Sequence, residues 1–338
     1  MNTHNTTQNT ALLLATLLLT AGAATARGAT VGTDYLSDPS LMVAVTGGSE
    51  SRTHENGTYG AVDYNYYIGT YEVTNAQYAK FLNAVGVTTT NNDLNLYRPE
   101  QLNYGLTWSS DQFDGDNRPV VYVSFYDTAR FVNWLTNGGT TDSDTETGMY
   151  TLSDGTGITR NADAWSAGGF AIANENEWYR AAYYDPTRGE TGGFWDYATQ
   201  SDNFSGDRNA SNGQTYTGSQ GDDGDKALEA GSFILAASYF GTYDQGGNVW
   251  EWNESIQSGT NRGLRGGSAY SASSNLFAAS GRRSAGLADE DFFVGFRVVS
   301  LTAVAVPEPG AVAGVTGLAA LVVGIWLRHT RLRRARRG

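Results

Sequence analysis

Short amphipathic stretches alternate along this chain with long polar connections, and the spacing of the apolar positions predicts three capped helices in a loop-rich domain. Between Tyr66 and Val73 aromatic and β-branched residues predominate, which reads as a strand. Directly after it, Thr74 and Gln77 stand at capping-box spacing, and Tyr78, Phe81, Leu82 and Val85 recur at helical intervals. A second helix is expected from Ser124, with Asp127 in the capping position. Phe125, Ala129, Val132 and Leu135 form its apolar stripe before an Asn137-Gly138-Gly139 stop. A third should begin at Asn174, with Glu177 three residues on, and end before Pro186. Residues 138–167 and 187–225 are dominated by Gly, Asp, Asn, Ser and Thr and read as connections of a length that is usually functional or metal-braced. From Phe233 the pattern becomes short strands with turns, ending over Phe293 to Val299. No repeat period is visible, so a solenoid or propeller is not indicated.

The two ends carry a different pattern. Residues 1–26 contain an apolar run from Ala11 followed by Ala24-Thr25-Ala26, a small-residue cleavage pattern, and read as a secretory signal peptide whose n-region lacks Lys and Arg. At the other end, Val306-Pro307-Glu308-Pro309-Gly310 precedes an apolar segment over 311–327, which as a helix rises about 25 Å and can span a thin bilayer. Arg328, Arg331, Arg333, Arg334, Arg336 and Arg337 behind it favour a cytoplasmic end. The arrangement over 306–338 is similar to the PEP-CTERM sorting signal of Gram-negative bacteria, which implies an exosortase-type sorting protease as partner. It also implies transient anchoring in the inner membrane through the C-terminal helix, then a cell-surface or extracellular location. A plain C-terminal anchor needs the same features. The globular part is expected over 27–305.

Composition narrows the functional classes. The 338 residues include 42 glycines and 20 tyrosines but are only 17% charged, which suits an α+β, loop-rich domain with aromatic packing. The net charge of −13 disfavours nucleic acid and anionic polysaccharide as electrostatic partners and suits cation binding. The chain has no cysteine, so disulfides cannot brace its loops.

The densest chemistry lies in Asp244-Gln245-Gly246-Gly247-Asn248-Val249-Trp250-Glu251-Trp252, where glycines let carbonyls turn inward and two acids supply the oxygens that calcium prefers. With Arg265-Gly266-Gly267-Ser268, Gly295-Phe296-Arg297-Val298-Val299, Tyr67-Ile68-Gly69-Thr70-Tyr71-Glu72-Val73-Thr74-Asn75-Ala76-Gln77-Tyr78, Arg118-Pro119-Val120-Val121-Tyr122-Val123-Ser124 and Ala173-Asn174-Glu175-Asn176-Glu177-Trp178, it resembles the formylglycine-generating enzyme (sulfatase-modifying factor) superfamily, in that family's order. The resemblance spans roughly Tyr66 to Val299. It implies a C-type-lectin-like α+β fold with short helices and small antiparallel sheets. It also implies a structural calcium site made by the side chains of Asp244 and Glu251 with the carbonyls of Gly247 and Val249. A second site would use Asn209, the carbonyl of Ala210, Asp222 and the carbonyl of Gly224. Capping of turns is the alternative role for Asp244 and Glu251.

Members of the resembled family oxidise a sulfatase cysteine with copper held by two cysteines a few residues after Gly-Gly-Ser. Here Ser271 and Leu276 occupy those positions, and neither can replace a thiolate on copper, so no copper is expected. A related branch holds iron with histidines, yet His54 is the only histidine outside the two ends, which excludes a three-histidine site and leaves a Ser-His-Asp triad unsupported. Asp289, Glu290 and Asp291 read as a solvated face. Trp250 and Trp252 are expected on opposite sides of a strand, at least one in the core, and Arg265 and Arg297 as structural pairs to carboxylates or carbonyls. The floor of the ancestral cleft, around Trp250, Ser268, Ser271 and Arg297, is the expected ligand site. The resulting expectation is a non-catalytic, calcium-stabilised exported domain that binds a cell-surface polysaccharide or an exported protein. The rival is an oxidoreductase or modifying enzyme with a non-cysteine metal in the same cleft; a structural matrix component is the third option.

Overall fold

The computed structural model describes residues 31–152, 158–204, 227–271 and 273–303. The expected signal segment, the sorting tail with its 311–327 helix, and the proposed second calcium set (Asn209, Ala210, Asp222 and Gly224) lie outside the described residues. Among the described residues no helix is long and apolar enough to cross a membrane.

All three predicted helices form where their caps place them: α1 (Asn75–Ala84), α2 (Phe125–Thr136) and, after an intervening α3 (Ala162–Ser166), α4 (Glu175–Tyr183). Thr74 with Gln77, Ser124 with Asp127 and Asn174 with Glu177 close reciprocal capping boxes, each satisfying two backbone N–H groups that the helix itself leaves open. The short α3 falls within a stretch read from sequence as connection. It buries no residue and so has no apolar stripe to betray it, and its only local signal is Asn161, whose side chain accepts from Asp163 and Ala164 N–H groups.

Two small sheets organise the rest. One is antiparallel in the order Met42–Val45, Tyr66–Gly69, Val298–Ser300, Phe170–Ile172, so that Ile68 pairs with Val299 and the first and last parts of the domain close on each other. The other runs Arg283–Ala285, Asn261–Arg265, Trp250–Ser258, Val294–Gly295, with only the last pair parallel. The strand predicted over Tyr66 to Val73 thus ends at Gly69, after which the chain turns toward α1. Between the helices, Phe131 of α2 packs edge-on against Phe81 of α1 (5.5 Å between ring centroids) and Phe296 (5.3 Å), which places the Gly-Phe-Arg segment against the main core.

Trp250 and Trp252 are both 1% exposed. Residues two apart in a strand share a face, so the expected opposite orientation is corrected. Their strand is buried at every position from Trp250 to Asn253, because structure covers both of its faces. Trp252 donates its indole N–H to the carbonyl of Val123 at 2.9 Å, satisfying its one polar group.

Candidate functional site

The loop entering the Trp250 strand is built from backbone that most residues avoid. Asp244 (φ 65°), Gly247 (φ 120°) and Asn248 (φ 58°) all have positive φ, a conformation costly for the two non-glycine residues unless their surroundings enforce it. Those surroundings are visible. Asp244 Oδ2 accepts from the Gly231 N–H at 2.7 Å. Asn248 Oδ1 accepts from Leu228 N–H at 2.9 Å, and its own carbonyl accepts from Ala269 N–H at 2.9 Å. The loop thereby ties the chain before it to the Gly-Gly-Ser segment after it.

At its end stands Glu251, fully buried, with both oxygens engaged. Arg297 Nε donates to Oε2 at 2.6 Å and Nη2 to Oε1 at 2.7 Å, while the indole N–H of Trp178 donates to Oε2 at 2.7 Å. Arg297, also fully buried, spends its remaining N–H groups on the carbonyls of Gly69, Thr70 and Tyr243. Arg297 therefore is structural, as its glycine-flanked position predicts. Glu72 lies 4.0 Å from Arg297, is fully buried, and has no hydrogen-bond partner for either carboxylate oxygen. Burial, then the charge of Asp244, pushes the Glu72 carboxyl well above its ordinary range. Burial likewise raises Asp244 to about 6.

Glu72, Asp244 and Glu251 thus share one guanidinium, more acid groups than counter-charges away from water. That concentration of acids and the orphaned Glu72 fit a hard cation beside Asp244. Glu251 fits less well, because Arg297 and Trp178 already occupy its oxygens. Among the described residues no three His, Cys, Asp or Glu side chains are grouped as metal ligands, so any calcium here would depend on Asp244 and on carbonyls such as those of Gly247 and Val249.

The two positions that match the family's cysteines are occupied by ordinary packing. Ser271 Oγ accepts from the Ser268 N–H at 2.9 Å and its own N–H donates to the Ser268 carbonyl at 2.8 Å, a closed local turn. Leu276 ends a short 3₁₀ turn (Ser274–Leu276) and packs half-buried against the core. Trp250, Ser268, Ser271 and Arg297 are all buried, so the expected cleft floor presents no open side chain. What reaches solvent beside it is Tyr270, between the two serines, with Phe292 and Phe293 against its ring. His54 is held by Tyr179, with 2.8 Å between Nε2 and the phenol oxygen, and burial lowers its pKa.

Sequence reasoning left out Glu72, Trp178 and this aromatic group. Glu72 had a signal, an acid set between Tyr71 and Val73 in an apolar strand context, whereas Trp178 reads as any core aromatic of a helix. Arg265 is structural as predicted: buried, it pairs with Glu175 and donates to the carbonyls of Ala279 and Gly281. Among the acids read as a solvated face, Glu290 pairs with Arg98 and Asp289 accepts from the Gly286 N–H.

The chain is similar to solved structures at the level of fold. CarF aligns with a TM-score of 0.50 and 21% identity over 77% of this chain and 97% of its own. Treponema denticola variable protein 1 (TM-score 0.48, 21% identity) covers 77% of this chain and 95% of its own. PvdO from Pseudomonas aeruginosa (TM-score 0.47, 20% identity) covers 77% and 93%. No curated protein matches the chain. Residues 29–301 match the Sulfatase-modifying factor enzyme 1-like domain, nearly the whole span expected for the globular part. With its α+β, loop-rich architecture of short capped helices and small sheets, the protein belongs to the sulfatase-modifying factor (formylglycine-generating enzyme-like) family.

Proposed function

We propose that this protein is an exported, non-catalytic member of its family that uses a calcium-braced domain to bind a ligand at or outside the cell envelope. The carrying observation is chemical. The chain has no cysteine, and Ser271 and Leu276 offer a hydroxyl already engaged in a turn and an alkyl group where relatives hold copper through thiolates. Calcium at the Asp244 loop would favour the ionised forms of the acids gathered there and hold the positive-φ backbone in place. The apolar segments at both ends support export and transient anchoring, with an exosortase-type protease acting on the tail.

Elemental analysis of the purified full-length protein tests this reading. Calcium alone is expected, with a melting temperature that falls on addition of a chelator. A stoichiometric copper, iron or manganese would instead support an oxidoreductase built on oxygen ligands.

A further inference from the structure

Aromatic residues make up 12% of this chain, and most of those described are buried. Five of those that stay partly exposed meet in one place. Tyr104, Tyr122, Tyr270 and the adjacent Phe292 and Phe293 come from four separate segments, and all remain partly exposed, Tyr270 to 39%. Tyr270 meets Phe292 edge to face at 4.5 Å, Phe292 meets Phe293 at 4.8 Å, and Tyr104 meets Tyr122 at 5.4 Å; Phe292 joins the two halves through Tyr104 at 6.2 Å. A contiguous apolar surface of this kind marks an interaction site more often than chance packing.

The ledge is also held in place. Tyr122 has φ 54°, an uncommon conformation for a bulky residue, and its N–H donates to the carbonyl of Asp291 at 3.0 Å, which ties two of the contributing segments together. Tyr270 is fixed on the Ser268–Ser271 turn described above. The rings are thus presented by backbone that has little freedom to rearrange, as a preformed binding surface requires.

Next to Phe293 opens a cavity of about 460 Å³ whose polar lining includes Arg98, Arg283, Asp289, Glu290 and Asp291. Its charges are largely spoken for: Glu290 pairs with Arg98, Asp289 accepts from Gly286 N–H, and Asp291 accepts from Phe292 N–H. What is left is a mixture of donors and acceptors with a small excess of acid, on a protein of net charge −13. A polyanion is disfavoured there, and no open run of carboxylates awaits a polycation. Hydroxyl groups, which both donate and accept, suit this lining.

We propose that this aromatic ledge and the cavity beside it bind a neutral polysaccharide. The rings stack on the C–H faces of successive sugars while the cavity's carboxylates and guanidinium groups bond their hydroxyls. The inference rests on the reading of the protein as a binding module and specifies its ligand class.

Isothermal titration of the full-length protein, kept in a detergent without a sugar headgroup, tests it. The probes are neutral cellohexaose, laminarihexaose and mannohexaose, anionic hexagalacturonate and cationic hexalysine. At least one neutral hexasaccharide is expected to bind. Its affinity should fall about tenfold in Tyr270→Ala and in Phe292→Ala but stay within about twofold in Tyr270→Phe, which keeps the stacking face. Tyr270→Ala should melt with the parent, separating lost binding from lost folding. Binding of hexagalacturonate or hexalysine in place of the neutral sugars overturns the inference, as does failure of every neutral probe or affinity indifferent to both alanine variants. These outcomes leave the non-catalytic reading standing, because that reading fails instead on a redox metal or on turnover.

Discussion

Removing Arg297 should damage this domain far more than removing the charge of its partner. Arg297→Met leaves Glu251 buried without its counter-ion, with Asp244 and the orphaned Glu72 beside it, three acids and no cation. Breaking a buried pair in this way costs about 3–5 kcal/mol. In Glu251→Gln the guanidinium keeps the carbonyls of Gly69 and Tyr243, and Glu72, 4.0 Å away, can ionise to replace the lost charge. The cost there should be nearer about 1–3 kcal/mol, the scale of a lost charged hydrogen bond. At about 2–4 °C per kcal/mol for a domain of this size, calorimetry should find Arg297→Met lower in melting temperature than Glu251→Gln by several degrees. Equal costs for the two single variants, or a cost under about 1 kcal/mol for Arg297→Met, would refute the idea that one guanidinium holds this acid cluster together.

Two further perturbations probe the scaffold. Burial raises Asp127, the second member of the α2 capping box, to about 7 from its ordinary 3.8. A carboxyl whose folded pKa is raised contributes stability at low pH that is lost as pH climbs through the folded value. Asp127→Asn should therefore flatten the decline in melting temperature between about pH 4 and pH 7, and an unchanged slope would show that this carboxyl is not the source. Gly115 packs against the start of α1, where an added Cβ would lie 2.4 Å from the carbonyl carbon of Asn75 and 2.7 Å from the Ala76 nitrogen. Gly115→Ala should cost about 1–3 kcal/mol in urea unfolding, and a variant as stable as the parent would mean that the Gln112–Gly115 strand, paired antiparallel with Leu106–Ser109, can lift away from the helix.

The helices were legible because their signals are local: Thr74, Ser124 and Asn174 each stand three residues before the side chain that answers them. Pairings across the chain were not. Nothing in the apolar pattern announces that Ile68 will lie beside Val299, and that pairing closes the domain. At the site, the motif residues pointed correctly to Arg297 and Arg265 as structural groups paired to acids. Which oxygens they would use depended on where Trp178 and Glu72 arrive in space, and that is set by α4 and by the turn after Gly69. The aromatic ledge escaped for the same reason, since its residues are far apart in sequence and show no common period. A ligand site read from motif positions fell instead on Trp250, Ser268, Ser271 and Arg297, which packing has buried.

The central claim, that this chain keeps its family's scaffold without its thiol chemistry, meets its most direct test in turnover. The purified full-length protein, supplied with copper and oxygen, is incubated with a cysteine-bearing sulfatase peptide, and aldehyde is read by mass spectrometry. The account predicts no aldehyde above the level of a heat-denatured control. Aldehyde forming in proportion to protein concentration, in preparations free of any contaminating enzyme, would contradict it.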